Sequence, residues 1–149
     1  MNSDWTDLLR IFNAEEVRYL VVGGHAVMFY SEPRFTKDLD LWVEASAENA
    51  ERVRRALARF RAPLAGLSAA DFATQGSFYQ IGRPPVRVDI LMPVDGVSFA
   101  EAWPNRVEGR LGNERAWFIS REDLIRNKRA TGPYIDLHDA ELLERTLGE

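Results

Sequence analysis

Three aspartates pose the first chemical question. Asp38 and Asp40 stand two positions apart in DLDLWV, and Asp89 lies in VRVDILM, each an acid within an apolar, strand-like run. Side chains on a strand alternate between faces. Asp38, Asp40 and Trp42 therefore share one face, with Leu39, Leu41 and Val43 on the other. In the second run, Arg87, Asp89 and Leu91 oppose Val86, Val88 and Ile90. Two carboxylates about 7 Å apart on one strand face repel each other unless a cation stands between them, and such oxygen donors suit Mg²⁺. If the two strands are neighbours in one sheet, the three acids converge into a donor set for two metal ions of the kind that activates a hydroxyl and steadies a triphosphate. An isolated D-x-D also reads as an exposed strand face. Aspartate is a poor strand former, which counts against that simpler account.

A second set of residues surrounds the acids. The run LVV ends at Gly23-Gly24, ahead of the helix-like HAVMFYSE. A glycine turn leading into a helix N-terminus lets a phosphate approach backbone N–H groups and the positive end of the helix dipole; it also serves as a plain strand-to-helix turn. His25 follows the glycines and is a candidate phosphate contact. Arg34 and Lys37 flank the acid pair in RFTKD, and Arg83 and Arg87 flank Asp89, either to bind phosphate or to offset the carboxylates. Lys128 falls on the apolar stripe of its helix with Leu124 and Ile125. It either snorkels from the core edge or presents its ammonium to a triphosphate. Asp136 is a weaker site candidate, and Asp139 reads as a charge in the first turn of the last helix. The run RVRRALARFR reads as a solvated helix face in preference to an RNA patch. Tyr30, Phe35 and Trp42 are core or base-stacking aromatics; Trp42, on the aspartates' face, is the one kept for stacking. With no cysteine and two separated histidines, His25 and His138, a zinc site is not expected.

These residues have to be positioned by one fold. The 149 residues suit a single domain over 1–149, with a core at about 15–95 and a hairpin and helices over 98–149. A net charge of −4 means that any nucleic-acid partner needs a local basic patch. MNSDWTDLLR lacks the pattern of a secretory leader, and no apolar run approaches the ~20 residues of a membrane span; the reading is a soluble cytoplasmic protein. Periodicity predicts a helix from Ser3 with Trp5, Leu8, Leu9 and Phe12 on one stripe, then a strand over Tyr19–Val22 and a helix over His25–Glu32. A strand over Asp38–Ala45 follows, and then a helix capped by Ser46. Residues 61–75 read as loop. Strands are expected over Ser77–Ile81 and Val86–Met92, a short helix over Ser98–Trp103, a hairpin around LGNE, a helix capped by Ser120, and a last helix over 136–147. The alternation gives an α/β (α+β) class with a mixed central sheet flanked by helices.

The order of these signals resembles the polymerase β-like nucleotidyltransferase superfamily: a strand ending in Gly23-Gly24, a short helix, Asp38-x-Asp40 on the next strand and a single Asp89 on a later one, over residues 20–91. SREDLIRNKRATGPYIDLHDAELL is similar to the bacterial abortive-infection, toxin–antitoxin branch, with Lys128, Asp136 and Asp139 at the matching positions. The resemblance implies a nucleotidyltransferase fold and transfer of a nucleoside monophosphate from an NTP to a hydroxyl, with two Mg²⁺ ions. It implies that Asp38 and Asp40 bind both metals, that Asp89 binds one and helps deprotonate the acceptor, and that the glycines hold the triphosphate. The implied acceptor is RNA, in particular the tRNA 3′ end, with a cognate toxin or antitoxin protein as partner. AMP transfer to a protein hydroxyl and a non-catalytic nucleotide-binding module are the alternatives. The chain is short for the branch and shows no separate substrate domain.

Overall fold

The sheet is organised around its most buried strand, β1 (Tyr19–Val22), all four of whose residues are buried. Such a strand has neighbours on both edges and layers on both faces, which is why it reads as an uninterrupted apolar run. The protein is described by a computed structural model covering residues 3–33, 38–64, 66–82, 87–92, 94–131, 140–141 and 143–144.

Before β1 comes α1 (Ser3–Ala14), whose Trp5, Leu8, Leu9 and Phe12 are buried as their spacing predicts. After it come α2 (Gly23–Tyr30), β2 (Leu39–Val43) and α3 (Ala47–Arg59). Ser46 caps α3 by accepting from Asn49 N–H at 3.2 Å. A 3₁₀ turn at Ala69–Ala73, closed by a Ser68–Asp71 capping box, lies inside the segment expected to be loop. Strands β3 (Phe78–Ile81) and β4 (Val88–Leu91) follow, then α4 (Phe99–Ala102) with a further 3₁₀ turn at Trp103–Asn105. The hairpin β5 (Val107–Leu111) and β6 (Glu114–Phe118) leads to α5 (Arg121–Thr131).

The strands run in the order β3-β4-β2-β1-β6-β5. Pairings β1–β2, β3–β4 and β5–β6 are antiparallel, whereas β2–β4 and β1–β6 are parallel. The expected mixed sheet with flanking helices therefore forms. α1 packs on β6 and α3, while α2 lies on β1, β2 and α5. The arginine-rich face of α3 is a paired surface: Arg55 and Arg59 reach Glu15, Arg52 reaches Glu48, and Arg54 reaches Glu51. Among the described residues, no helix is long and apolar enough to cross a membrane. The last expected helix is described only at Ala140, Glu141, Leu143 and Glu144, all helical, with Ala140 and Leu143 buried.

Candidate active site

Two strands that are distant in sequence bring the acids together. β2 and β4 run parallel with Asp40 in register with Asp89, so the two carboxylates project from one face of strands about 4.8 Å apart. That proximity shows in the chemistry of Asp40, whose carboxyl is pushed up to about 7. Burial is the largest cause, followed by the hydrogen bond it donates to Asp89 when protonated and by the negative charges of Asp89 and Asp38; Lys128 pulls the other way. Asp38 lies just before β2, one residue outside the strand expected to contain it. Arg87 donates to Asp38 Oδ2 at 2.5 Å, and its Nε stands 3.8 Å from Asp89 Oδ1. The guanidinium thus stands between Asp38 and Asp89 and offsets their charge, one of the two roles its place in the sequence suggested.

Gly23 closes the site from the β1 side. Val22 is in register with Asp40, and Gly23 follows it with φ +68°. A Cβ there would overlap Asp40 Oδ2 and lie 3.0 Å from Cγ, so only glycine allows the backbone to pass the carboxylate. The helix begins at Gly23 itself and not at His25, which puts both glycines in the first turn of α2.

A cavity of about 260 Å³ opens beside Asp40 and Gly23 and runs to Leu91, Val94, Asp95 and Asn127. Asn127, on α5, donates to the Asp95 carbonyl at 3.1 Å. Gly96 (φ +84°) brings the same loop so close to α5 that a Cβ would meet Arg126 O at 2.9 Å. Lys128 is half-buried on α5, within electrostatic reach of Asp40. Asn127 and Asp95 carried no signal in the sequence, because their place depends on α5 docking against a loop 32 positions away.

Other expected residues fall elsewhere. His25 is a correction: its ring is buried, edge-on to Trp5 at 5.0 Å, and burial alone lowers its pKa. It faces the core, not a phosphate. Trp42 does share the aspartates' face, but it is 1% exposed and edge-on to Phe99 at 5.1 Å, so it offers no open ring for a base. Tyr30 donates to the Ile119 carbonyl at 2.6 Å and is a structural contact. Arg34, Phe35, Lys37, Arg83, Asp136, His138 and Asp139 lie outside the described residues.

The donor set has the chemistry of a hard-cation site. It is made of carboxylate oxygens, and Asp38 Oδ1 and Asp89 Oδ1 are buried without a hydrogen-bond partner, a costly arrangement that a cation relieves. Its geometry is not that of an assembled metal site. Among the described residues, no three His, Cys, Asp or Glu side chains group closely enough to hold an ion, and Asp38 is engaged by Arg87.

No protein-family model matches the sequence, and no curated protein matches it. Among solved structures, it is similar to the lincosamide antibiotic adenylyltransferase LnuA in its lincomycin-bound form, with 15% identity, a TM-score of 0.60 and coverage of 98% of each chain. The likeness is one of fold over the whole length of both chains. The mixed sheet that pairs Asp40 with Asp89 is a nucleotidyltransferase fold.

Proposed function

We propose that this protein is a nucleotidyltransferase that moves a nucleoside monophosphate from an NTP to an acceptor hydroxyl, releasing pyrophosphate. The register of Asp40 with Asp89, closed by Gly23, is the observation that supports this reading most directly. Asp38, Asp40 and Asp89 would hold Mg²⁺, which when bound supplies positive charge to the triphosphate and acidifies the attacking hydroxyl. The chain's own groups do the rest. The first turn of α2 at Gly23-Gly24 directs N–H groups at phosphate oxygens. Lys128 offers a positive charge from α5. Asp89, whose carboxylate faces the same side of the sheet as Asp40, would accept the hydroxyl proton.

Two acceptor readings follow from different observations. The likeness of the Lys128 region to the toxin–antitoxin branch supports RNA as acceptor in the cytoplasm, with a cognate protein partner. The whole-length fold likeness to an adenylyltransferase of a lincosamide antibiotic supports a small hydroxyl compound. The test incubates each α-labelled NTP and Mg²⁺ with tRNA, total protein or lincomycin, using wild type and an Asp38→Ala/Asp40→Ala variant. Label that the variant loses by a factor of about 10² or more supports transfer, and its location names the acceptor class. NTP binding without variant-sensitive label on any acceptor overturns the enzyme reading in favour of a nucleotide-binding module.

A further inference from the structure

At the opposite end of β1 from Gly23, four residues and about 13 Å away along the strand, lies a second cavity of about 250 Å³. Three guanidinium groups line it, those of Arg18, Arg52 and Arg115, together with the indoles of Trp103 and Trp117; Glu16 is its one acid. The side chains are held in place by one another. Arg106 is clamped 4.0 Å over the Trp103 ring and 4.7 Å over the Trp117 ring. Arg18 stands 5.7 Å from Trp103 and Arg115 stands 5.2 Å from Trp117. Stacking a guanidinium on an aromatic face fixes its plane while leaving its edge donors free.

The donors are only partly used. Arg18 reaches Glu44 at 3.4 Å; Arg52 reaches Glu48 at 2.6 Å and the Glu16 carbonyl at 3.3 Å. Arg115 and Arg106 have no carboxylate partner among the described residues; Arg106 donates to the Trp103 carbonyl at 3.0 Å, while its Nε is buried without a hydrogen-bond partner. The chain carries net charge −4, so this cleft is positive against the general balance of the molecule. It combines forked donors that match phosphate, indole edges that take a planar ring, and a volume on the scale of one nucleotide. Trp117 also projects from the same sheet face as Asp40: Phe118 is in register with Val21 and Val22 with Asp40, which puts residues 117, 22 and 40 on one side.

We propose that this arginine–tryptophan cleft is a second binding site, separate from the aspartate site, for a phosphorylated nucleotide supplied either as a free mononucleotide or as one unit of a single-stranded RNA. It does not depend on transfer chemistry.

The probes are a fluorescein-labelled 12-mer oligoadenylate and unlabelled AMP, added to the full chain in EDTA and followed by anisotropy across a salt series. Binding is expected to weaken with salt at a slope near −2 for three arginine–phosphate contacts, about −0.7 each on a single strand. Arg115→Gln, on the hairpin, is expected to weaken binding about tenfold and to flatten the slope by about 0.7. Arg18→Gln should act in the same direction. Asp89→Asn should abolish transfer and leave this binding intact. Full displacement of the 12-mer by AMP assigns the site to free nucleotide; displacement only by longer strands assigns it to RNA. Unfolding midpoints of the variants within a few degrees of wild type exclude misfolding, and if Arg18→Gln fails that check Arg115→Gln decides alone. The proposal is overturned if no probe binds, if polyglutamate competes as well as RNA, if correctly folded Arg115→Gln binds normally, or if Asp89→Asn abolishes binding.

Discussion

Gly23 backs onto Asp40 with no space for a side chain between them: a Cβ at residue 23 would overlap the Asp40 carboxylate, and the backbone there is left-handed at φ +68°. Gly23→Ala is therefore expected to act twice. The left-handed backbone costs about 1–2 kcal/mol for an L side chain, and Asp40 has to leave its place opposite Asp89. Urea unfolding should show a loss of at least that size, with the proposed transfer activity falling together with it. Gly24 has no left-handed backbone, and Gly24→Ala should cost less. Equal stability of the Gly23→Ala variant and wild type would contradict the close approach.

Asp40 gives a pH dependence with a definite sign. Its carboxyl is at about 7 in the folded protein against 3.8 as a free group, chiefly through burial. The folded state thus holds a proton that the unfolded state releases. This contribution to stability is complete below about pH 4 and is lost as pH rises through 7; its upper bound is roughly 4 kcal/mol at 1.36 per unit. Asp40→Asn should unfold at higher denaturant than wild type at pH 8 in EDTA, and the gap should close toward pH 4. Parallel curves for the two proteins would sink the assignment.

Arg87 holds Asp38 and leans toward Asp89, so it competes with any cation for the same oxygens. The pair is partly exposed, and Arg87→Gln should cost little stability in EDTA. The stabilisation on adding Mg²⁺ should then be larger in the variant than in wild type, as read by thermal shift. A smaller Mg²⁺ effect in Arg87→Gln would mean that the guanidinium helps to build the cation site and does not contest it.

His25 is buried against Trp5, with neither ring nitrogen hydrogen-bonded and a pKa lowered by burial. The unfolded chain takes up a proton near 6.5 that the folded chain resists, so stability is full above that value and declines as pH falls below it, by at most about 1.4 kcal/mol per pH unit. His25→Phe keeps a ring against Trp5 and loses no hydrogen bond. It should match wild type near pH 8 and exceed it at pH 5, and a difference independent of pH between those points would rule out a buried neutral imidazole.

Much of the site was legible from local pattern. Alternation in DLDLWV and VRVDILM places Asp40 and Asp89 on the polar side of their strands, and both strands form with that facing. The stripe at Trp5, Leu8, Leu9 and Phe12 and the cap at Ser46 are likewise present, because a helix face and a cap depend on residues within a few positions of each other. Local pattern misled at His25: following a glycine pair, it looked like a phosphate contact, yet the turn of α2 points it at α1.

What the sequence alone determined is the type and facing of the acids, the glycine break ahead of them and the α/β alternation, all set by short-range backbone geometry. The tertiary structure decided which strands are neighbours. Parallel pairing of β2 with β4 aligns Asp40 with Asp89 across 49 positions, as the same pairing brings Arg87 to Asp38. Docking of the Trp103 turn and the β5–β6 hairpin near the start of β1 assembles the arginine–tryptophan cleft from segments that carry no common motif. Such contacts form only when burial of apolar faces selects one packing of the whole chain, and that selection is not written in any single stretch of it.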